Sequence, residues 1–171
     1  MRRHPDTILA LDPGLRDLGY AVLHGRRLVM GGVLPLRHLP KPDRLAEVRR
    51  QVREWLKVHR PGTIAVEKTY PHPIPWLDRL HAITRYARGL AGRKHLRFAT
   101  YAPQQVRKTV LGNGKGTKRE AAAMVAARFP SLRVYLTQDR RWKERYWQNM
   151  LDAIALALHH QNVANPHSRS R

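Results

Sequence analysis

Three acidic residues in this sequence interrupt apolar stretches, where a negative charge is costly. Asp12 and Glu67 each follow directly after a short apolar run, and Asp152 lies inside one. A buried carboxylate without a partner tends to take up a proton, so each of the three needs a positive neighbour. Divalent cations shared among the three carboxylates meet that need most economically. Oxygen ligands in a chain without cysteine favour Mg²⁺ or Mn²⁺.

Two structural explanations compete with a metal site. Asp12 precedes Pro13 and Gly14, so its side chain could cap that turn. An arginine could also pair with any one of the carboxylates, because the chain contains 33 lysine and arginine residues. The other acidic residues lie in polar or basic sequence, which favours solvated charges or local ion pairs. Three buried acids together are explained more simply by shared cations than by either alternative.

The charge balance predicts a partner that carries dense negative charge. Only 12 acidic residues oppose the 33 basic ones, and the formal net charge is +21. Neutralising the phosphates of a nucleic acid releases counterions, so this charge favours DNA or RNA as the partner. No apolar stretch reaches the roughly 20 residues needed to span a bilayer. Asp12 also interrupts the first apolar run too early for a secretory signal, so we expect a cytoplasmic protein.

A basic protein that holds divalent ions through carboxylates is suited to phosphodiester hydrolysis. Two ions about 4 Å apart can activate an attacking water and stabilise the leaving oxygen. The residue types and positions therefore predict a metal-dependent nuclease, without saying which nucleic acid it cuts.

The succession of apolar patterns predicts an α/β fold in one domain, residues 1–164, followed by a disordered basic tail, 165–171. We expect a mixed sheet of five strands, three antiparallel and then parallel, with helices on both faces. The predicted strands are 8–11, 18–24, 28–34, 63–67 and 97–101. The predicted helices begin at residues 43, 77, 103, 117 and 141. Residues 134–136 are predicted to be extended, and Gly31-Gly32 to weaken the third strand or mark a bulge.

Four segments of the chain resemble successive motifs of the RuvC-type Holliday junction resolvases. They are LDPGLRDLGYAV at 11–22, AVE at 65–67, YAPQQVRKTVLG at 101–112 and DAIALA at 152–157. The match runs in order over nearly the whole chain. The resemblance implies an RNase H-like fold and a homodimer that cuts two opposing strands of a four-way DNA junction with two Mg²⁺ or Mn²⁺ ions per active site. It also suggests a branch-migration motor as a further partner.

The resemblance also implies roles for individual residues. By this resemblance the metal ligands are Asp12, Glu67 and Asp152, and Asp12 bridges the two ions. Lys118 falls beside the scissile phosphate, although a surface lysine at a helix start is the alternative. Tyr70 falls where the family stacks an aromatic ring at the opened centre of the junction, and packing against the next proline is the alternative. The expected DNA contacts are Arg16, Tyr70, Arg107, Lys108, Lys115 and Lys118.

The sequence departs from the family at Asn149, where a second acid or a histidine is usual. Spacing of three on a helix places Asn149 on the same face as Asp152, so its amide oxygen could still reach the metals. The amide is neutral, however, and three outcomes remain open. In the first, one metal is bound more weakly. In the second, Glu144, His159 or His160 compensates for the missing charge. In the third, the chain is an inactivated variant that binds junctions without cutting. The adjacent histidines are otherwise expected to be solvated or to act at the helix end. An RNase H-like nuclease on another substrate is the remaining alternative.

Overall fold

The computed structural model describes residues 4–14, 16–69, 78–112, 116–136 and 141–164. The strands of this part of the chain are His4–Pro13 (β1), Asp17–His24 (β2), Arg27–Pro35 (β3), Pro61–Glu67 (β4) and Arg97–Tyr101 (β5). The α-helices are Asp43–His59 (α1), Asp78–Arg93 (α2), Pro103–Leu111 (α3), Lys118–Arg128 (α4) and Arg141–Ala164 (α5). The tail 165–171 lies outside the described residues. No helix in the described ranges combines the length and apolar content needed to cross a membrane.

The described strands form one mixed sheet in the order β3-β2-β1-β4-β5. β1 pairs antiparallel with β2, and β2 pairs antiparallel with β3. β4 lies parallel to β1 on its other side, and β5 lies parallel to β4 at the sheet edge. The predicted five-stranded arrangement, three antiparallel strands and then parallel ones, is confirmed.

Helices cover both faces of this sheet. Alternate residues of the central strand point to opposite faces, so its apolar side chains need a covering layer on each side. Leu9 and Leu11 of β1 join a core formed with α1 and α2. Ile8 and Ala10 join a second core formed with α3, α4 and α5. Asp12 is the next residue after Ile8 and Ala10 that points to the same side of β1, so its side chain lies on the face that α5 covers.

Two local predictions were wrong. The segment predicted to be extended at 134–136 instead ends a 3-10 helix, Pro130–Tyr135, which buries Leu132. A proline fits the first turn of a helix, and a three-residue apolar run is too short to reveal its period. Gly31 and Gly32 pair regularly with β2, and the register shift skips Val29 instead. The absence of a side chain at Gly31 has a packing reason, since a β-carbon there would lie 3.3 Å from the Ile154 side chain of α5.

Candidate active site

Strand pairing brings Asp12 and Glu67 side by side. The parallel register of β1 and β4 pairs Leu11 with Val66, so the two acids are the next positions on neighbouring strands. The residues two positions earlier on each strand lie in the core beneath α5. Since side chains alternate along a strand, both carboxylates belong to that same face.

The long helix α5 adds Asp152 to this face, and two side chains hold its carboxylate. The Lys118 ammonium donates to Oδ2 of Asp152 at 3.0 Å, and the Gln148 amide donates to Oδ1 at 2.8 Å. The Asp152 side chain is 13% exposed, whereas that of Lys118 is 57% exposed. The carboxylate is therefore fixed at both oxygens, with one partner from α4 and one from its own helix.

A capping box positions Lys118 at the first residue of α4. The Thr117 hydroxyl accepts a hydrogen bond from the Glu120 backbone N–H at 3.2 Å, and the Glu120 carboxylate accepts one from the Thr117 backbone N–H at 2.6 Å. This reciprocal pair satisfies two donors that a helix start leaves without partners. The predicted helix start at Thr117 is confirmed, and it places Lys118 against Asp152.

The three carboxylates repel one another in a buried setting. Burial raises the pKa of Asp12 well above its usual range, and the charges of Glu67 and Asp152 raise it further. Burial and Asp152 raise the pKa of Glu67 to about 7, although Lys118 and Arg107 oppose this shift. Partial burial lowers the pKa of Lys118, but the surrounding carboxylates outweigh that effect and raise it overall. The cluster is thus short of positive charge even with Lys118 present.

These acids fit a divalent cation by their chemistry. Their donors are oxygens, they carry excess negative charge, and hard cations such as Mg²⁺ prefer carboxylate oxygen. Among the described residues, however, no group of three acidic or histidine side chains stands in an arrangement that could hold one ion. In this structure the positive charge beside Asp152 is the ammonium of Lys118, which forms an ion pair with it. Binding a shared ion therefore requires these side chains to rearrange.

Arg107 lies at the edge of the same cluster. A cavity of about 10 Å³, roughly one water molecule in size, is bounded by Glu67, Arg107, Lys118 and Asp152 together with apolar residues of α3, α4 and α5. The Nε atom of Arg107 is buried and has no hydrogen-bond partner among the described residues. Buried donors are seldom left unsatisfied, so this atom is available to an anionic oxygen.

Asn149 lies on the Asp12 side of the cluster. A β-carbon on Gly14, two residues after Asp12, would lie 3.5 Å from the Asn149 amide nitrogen. One on Gly19 of β2 would overlap the Asn149 backbone carbonyl, so α5 packs tightly on β2 at this point. Asn149 therefore lies against the strand ends next to Asp12, three residues before Asp152 on α5.

The two histidines of α5 do not belong to the cluster, and the expectation that they are solvated or act at the helix end was wrong. Both are buried. His159 shares a hydrogen bond with Thr109 of α3 at 2.7 Å, and His160 shares one with Tyr101 of β5 at 2.8 Å. They lie two helical turns beyond Asp152, about 10 Å along the axis. Glu144, the other suggested substitute for Asn149, has a side chain outside the described part of the structure.

The remaining predicted DNA contacts are more scattered. Arg107 and Lys118 border the acid cluster, whereas Arg16 is exposed in the turn after β1 and Lys108 is exposed on α3. Tyr70 and Lys115 lie outside the described residues. Gln148 was not among the residues predicted from sequence, although its spacing of four from Asp152 on one helix is a recognisable signal for a hydrogen bond between the two side chains.

Comparison with known proteins identifies the family. The family model described as crossover junction endodeoxyribonuclease RuvC matches residues 8–160. The chain belongs to the RuvC family. A RuvC relative from Azorhizobium caulinodans is 33% identical over 168 residues, which cover 93% of this chain and 91% of that protein. A RuvC relative from Bradyrhizobium diazoefficiens is 30% identical and covers 92% of this chain and 87% of its own.

Solved RuvC structures share the fold. The Thermus thermophilus RuvC structure is 25% identical, has a TM-score of 0.73, and is matched over 94% of this chain and 96% of that chain. T. thermophilus RuvC in complex with a Holliday junction substrate has the same TM-score at 23% identity, over 95% of this chain and 96% of that one. The RNase H-like fold implied by the sequence resemblance is confirmed. As a RuvC-family member, the chain is an endodeoxyribonuclease that depends on divalent metal.

Proposed function

We propose that this RuvC-family chain resolves four-way DNA junctions, cutting one phosphodiester bond in each of two opposing strands. The observation that carries this proposal is the convergence of Asp12 and Glu67 with Asp152 of α5, beside Lys118 and Arg107. The net charge of +21 supports a nucleic-acid substrate. The family match supports a crossover junction as that substrate. Paired cuts at a symmetric junction need two active sites, which a homodimer supplies.

In this proposal Asp12, Glu67 and Asp152 hold two Mg²⁺ or Mn²⁺ ions per active site, with Asp12 as the bridging ligand. Bound ions of this kind activate water and stabilise a leaving oxygen. Lys118 remains protonated near neutral pH and donates to an oxygen of the scissile phosphate. Arg107 supplies a second cationic donor at the edge of the cavity. The capping box of α4 and the burial of α5 fix the backbone positions of Lys118 and Asp152, while their side chains rearrange when ions bind.

The remaining predicted contacts belong to the same proposal. Arg16, Lys108 and Lys115 bind phosphates around the junction, and Tyr70 stacks on an unpaired base at its centre. We also place the chain in the cytoplasm, with a branch-migration motor as a partner.

The proposal is tested with a synthetic four-way junction and a linear duplex of the same sequences, each incubated with Mg²⁺ or Mn²⁺. We expect symmetric paired nicks in the junction alone. Junction binding should also weaken steeply with added salt, because phosphate contacts release counterions. Equal cutting of the linear duplex, or stronger cutting of an RNA–DNA hybrid, would contradict junction resolution.

The neutral side chain of Asn149 leads to a prediction about metal affinity. Asn149→Asp is expected to lower the Mg²⁺ concentration for half-maximal cleavage by about fivefold to tenfold, since it adds a carboxylate on the Asp12 side of the cluster. The measurement is a Mg²⁺ titration of junction cleavage, with Asn149→Ala as the control that removes the amide without adding charge. An unchanged titration would place Asn149 outside the metal site. Tight junction binding by the unaltered chain without product, restored by Asn149→Asp, would identify an inactivated variant.

Gln148 is expected to act as a positioning residue for Asp152. Gln148→Leu keeps the side-chain size but removes the donor to Oδ1, so we expect kcat to fall about tenfold with junction binding unchanged within about twofold. The matched control is Gln161→Leu, which removes a glutamine hydrogen bond to the Gly25 carbonyl from the same helix. If both variants lose the same activity, the effect of Gln148 is on folding and not on Asp152.

A further inference from the structure

We infer that His159 is a positioning residue for the cleavage reaction, because its hydrogen bond to Thr109 fixes the rotation of α3 and so holds Arg107 at the acid cluster. His159 and its neighbour His160 are buried titratable side chains that the proposed function leaves without a role. Their partners Thr109 and Tyr101 lie in a segment that resembles a family motif, and they too have no assigned role. The inference rests on the proposed function, in which Arg107 acts as a cationic donor.

The apolar contacts of α3 restrict its rotation only weakly. The helix has nine residues, fewer than the roughly 12–15 that an isolated helix needs to be stable in water. All nine are described, and Val106 alone among them is buried, with Val110 partly buried one turn later. Two side chains on one helix face fix the distance to the neighbouring elements more firmly than they fix rotation about the helix axis. Further contacts are therefore needed to set that rotation.

The two histidines of α5 supply those contacts, one at each end of α3. Tyr101 ends β5 two residues before α3 begins, and its hydroxyl shares a hydrogen bond with Nδ1 of His160 at 2.8 Å. Thr109 lies in the last turn of α3, and its hydroxyl shares one with Nδ1 of His159 at 2.7 Å. Both ends of α3 are thus tied to consecutive residues of α5, the helix that carries Asp152.

Tyr101 also orients the imidazole of His159. The two rings lie edge-to-face, with 4.4 Å between ring centres and 86° between ring planes, an arrangement that aromatic rings favour. Tyr101 pairs with Glu67 across the parallel strands β5 and β4, so its backbone is fixed beside the strand that carries one of the acids. His159 is therefore held in an orientation from which Nδ1 meets Thr109.

Arg107 and Thr109 flank the buried face of α3. At about 100° per residue, Arg107 lies roughly 100° to one side of Val106 and Thr109 roughly 60° to the other. A rotation that separates Thr109 from His159 therefore also moves Arg107 relative to the cavity that it borders with Glu67. Because the Nε atom of Arg107 is buried, even a small rotation would change its surroundings.

Stability alone is a poor explanation for two adjacent buried histidines. Burial lowers the pKa of His159, and the charge of His160 lowers it further. The unfolded chain therefore binds protons more readily, and the pair costs stability as the pH falls below its ordinary pKa of 6.5. An apolar pair of similar size would fill the same space without this cost. What the imidazoles add is directional hydrogen bonding, which suits a positioning role.

The test removes the Thr109 hydroxyl and leaves both histidines in place. Thr109→Val keeps the shape of the side chain, whereas Thr109→Ser keeps the hydroxyl. The matched control is Thr7→Val, which removes a threonine–histidine hydrogen bond of 2.6 Å to His24. Thr7 is also buried and lies five residues before Asp12 on β1, roughly 17 Å along the strand. Both valine variants should lose roughly 2–4 °C in melting temperature.

Single-turnover cleavage of the four-way junction separates positioning from stability. We expect Thr109→Val to lower the cleavage rate about tenfold, with junction affinity in EDTA unchanged within about threefold, because misplacing a donor costs more in the transition state than in binding. Thr7→Val and Thr109→Ser should keep at least about half of the rate. In an Arg107→Gln background, Thr109→Val should have less than about a twofold effect, since the group it positions is already absent. Equal losses in the two valine variants, or a full loss from Thr109→Val in that background, would overturn the inference.

The position of Arg107 is also measured without cleavage, so that failure of the proposed function appears separately. The NMR signal of the Arg107 Nε–H is assigned by its absence in Arg107→Lys. In EDTA its exchange with solvent should be about tenfold faster in Thr109→Val than in the unaltered chain or in Thr7→Val, because rotation of α3 exposes the buried atom. Unchanged exchange and chemical shift in Thr109→Val would contradict the inference. Absence of paired nicks with the unaltered chain would contradict junction resolution alone.

Discussion

Replacing Asp12 with asparagine is expected to lower the rate of junction cleavage by about 10³-fold, with junction binding in EDTA retained within about twofold. The substitution preserves the shape of a side chain that is only 8% exposed, and it removes the most buried acid of the cluster. A neutral amide cannot supply the negative charge that the proposed bridging position needs. Single-turnover cleavage with excess protein measures the effect, since it excludes product release.

Asp17 provides the matched control for this experiment. It is also a buried aspartate near the β1–β2 turn, but it pairs with Arg37 and takes no part in the acid cluster. Asp17→Asn should cost about 1–2 kcal/mol of stability and leave the rate of the folded protein nearly unchanged. Asp12→Asn should instead raise the metal-free melting temperature, because it removes like-charge repulsion. Retention of more than a tenth of the rate by Asp12→Asn would exclude Asp12 as an essential ligand.

Glu67 is expected to destabilise the metal-free protein as the pH rises from about 4.5 to 7. Its pKa is about 7 in the folded state against an ordinary value of 4.5, so the unfolded chain releases the proton first. Rising pH through this window therefore favours unfolding, and the effect is complete above pH 7. The shift corresponds to about 3 kcal/mol, or roughly 6–12 °C in melting temperature for a chain of this size.

The effect of Glu67 is measured as a difference between proteins. Burial lowers the pKa of His159 and His160, which destabilises the fold below pH 6.5 and so opposes the trend from Glu67. Glu67→Gln removes the contribution of Glu67 to the pH dependence of stability and keeps that of the two histidines. The melting temperature of Glu67→Gln minus that of the unaltered chain should grow between pH 4.5 and 7 in EDTA. A constant difference across this range would show that Glu67 ionises normally.

Divalent cations should reverse this destabilisation. At pH 7.5 saturating Mg²⁺ is expected to raise the melting temperature of the unaltered chain, because a cation that binds only the folded state stabilises it. At pH 5 protons compete for Glu67 and Asp12, so the increase should be much smaller. Glu67→Gln should show little increase at either pH. An equal increase in both proteins would mean that Mg²⁺ binds elsewhere.

The acid cluster could be predicted from sequence because its signal is local. A carboxylate that ends a short apolar run is unusual in itself, and Asp12 and Glu67 share that pattern. Parallel pairing of the two strands then brings the acids together. The capping box that begins α4 was predictable for the same reason, since Thr117 and Glu120 are only three residues apart.

Contacts between distant segments could not be predicted in this way. The partners of His159 and His160 lie 50 and 59 residues away, so nothing near the histidines in sequence indicates that they are buried. The ion pair of Lys118 with Asp152 spans 34 residues and depends on how α4 packs against α5.

The position of α5 in the chain has a consequence for synthesis on the ribosome. About 140 residues separate Asp12 from Asp152, so at typical elongation rates the first acid emerges on the order of 10 s before the last. Throughout that interval one apolar face of β1 has no cover, and the cluster lacks its third carboxylate. We therefore expect a nascent or prematurely terminated chain to lack nuclease activity, because Asp152 joins the cluster only when α5 docks.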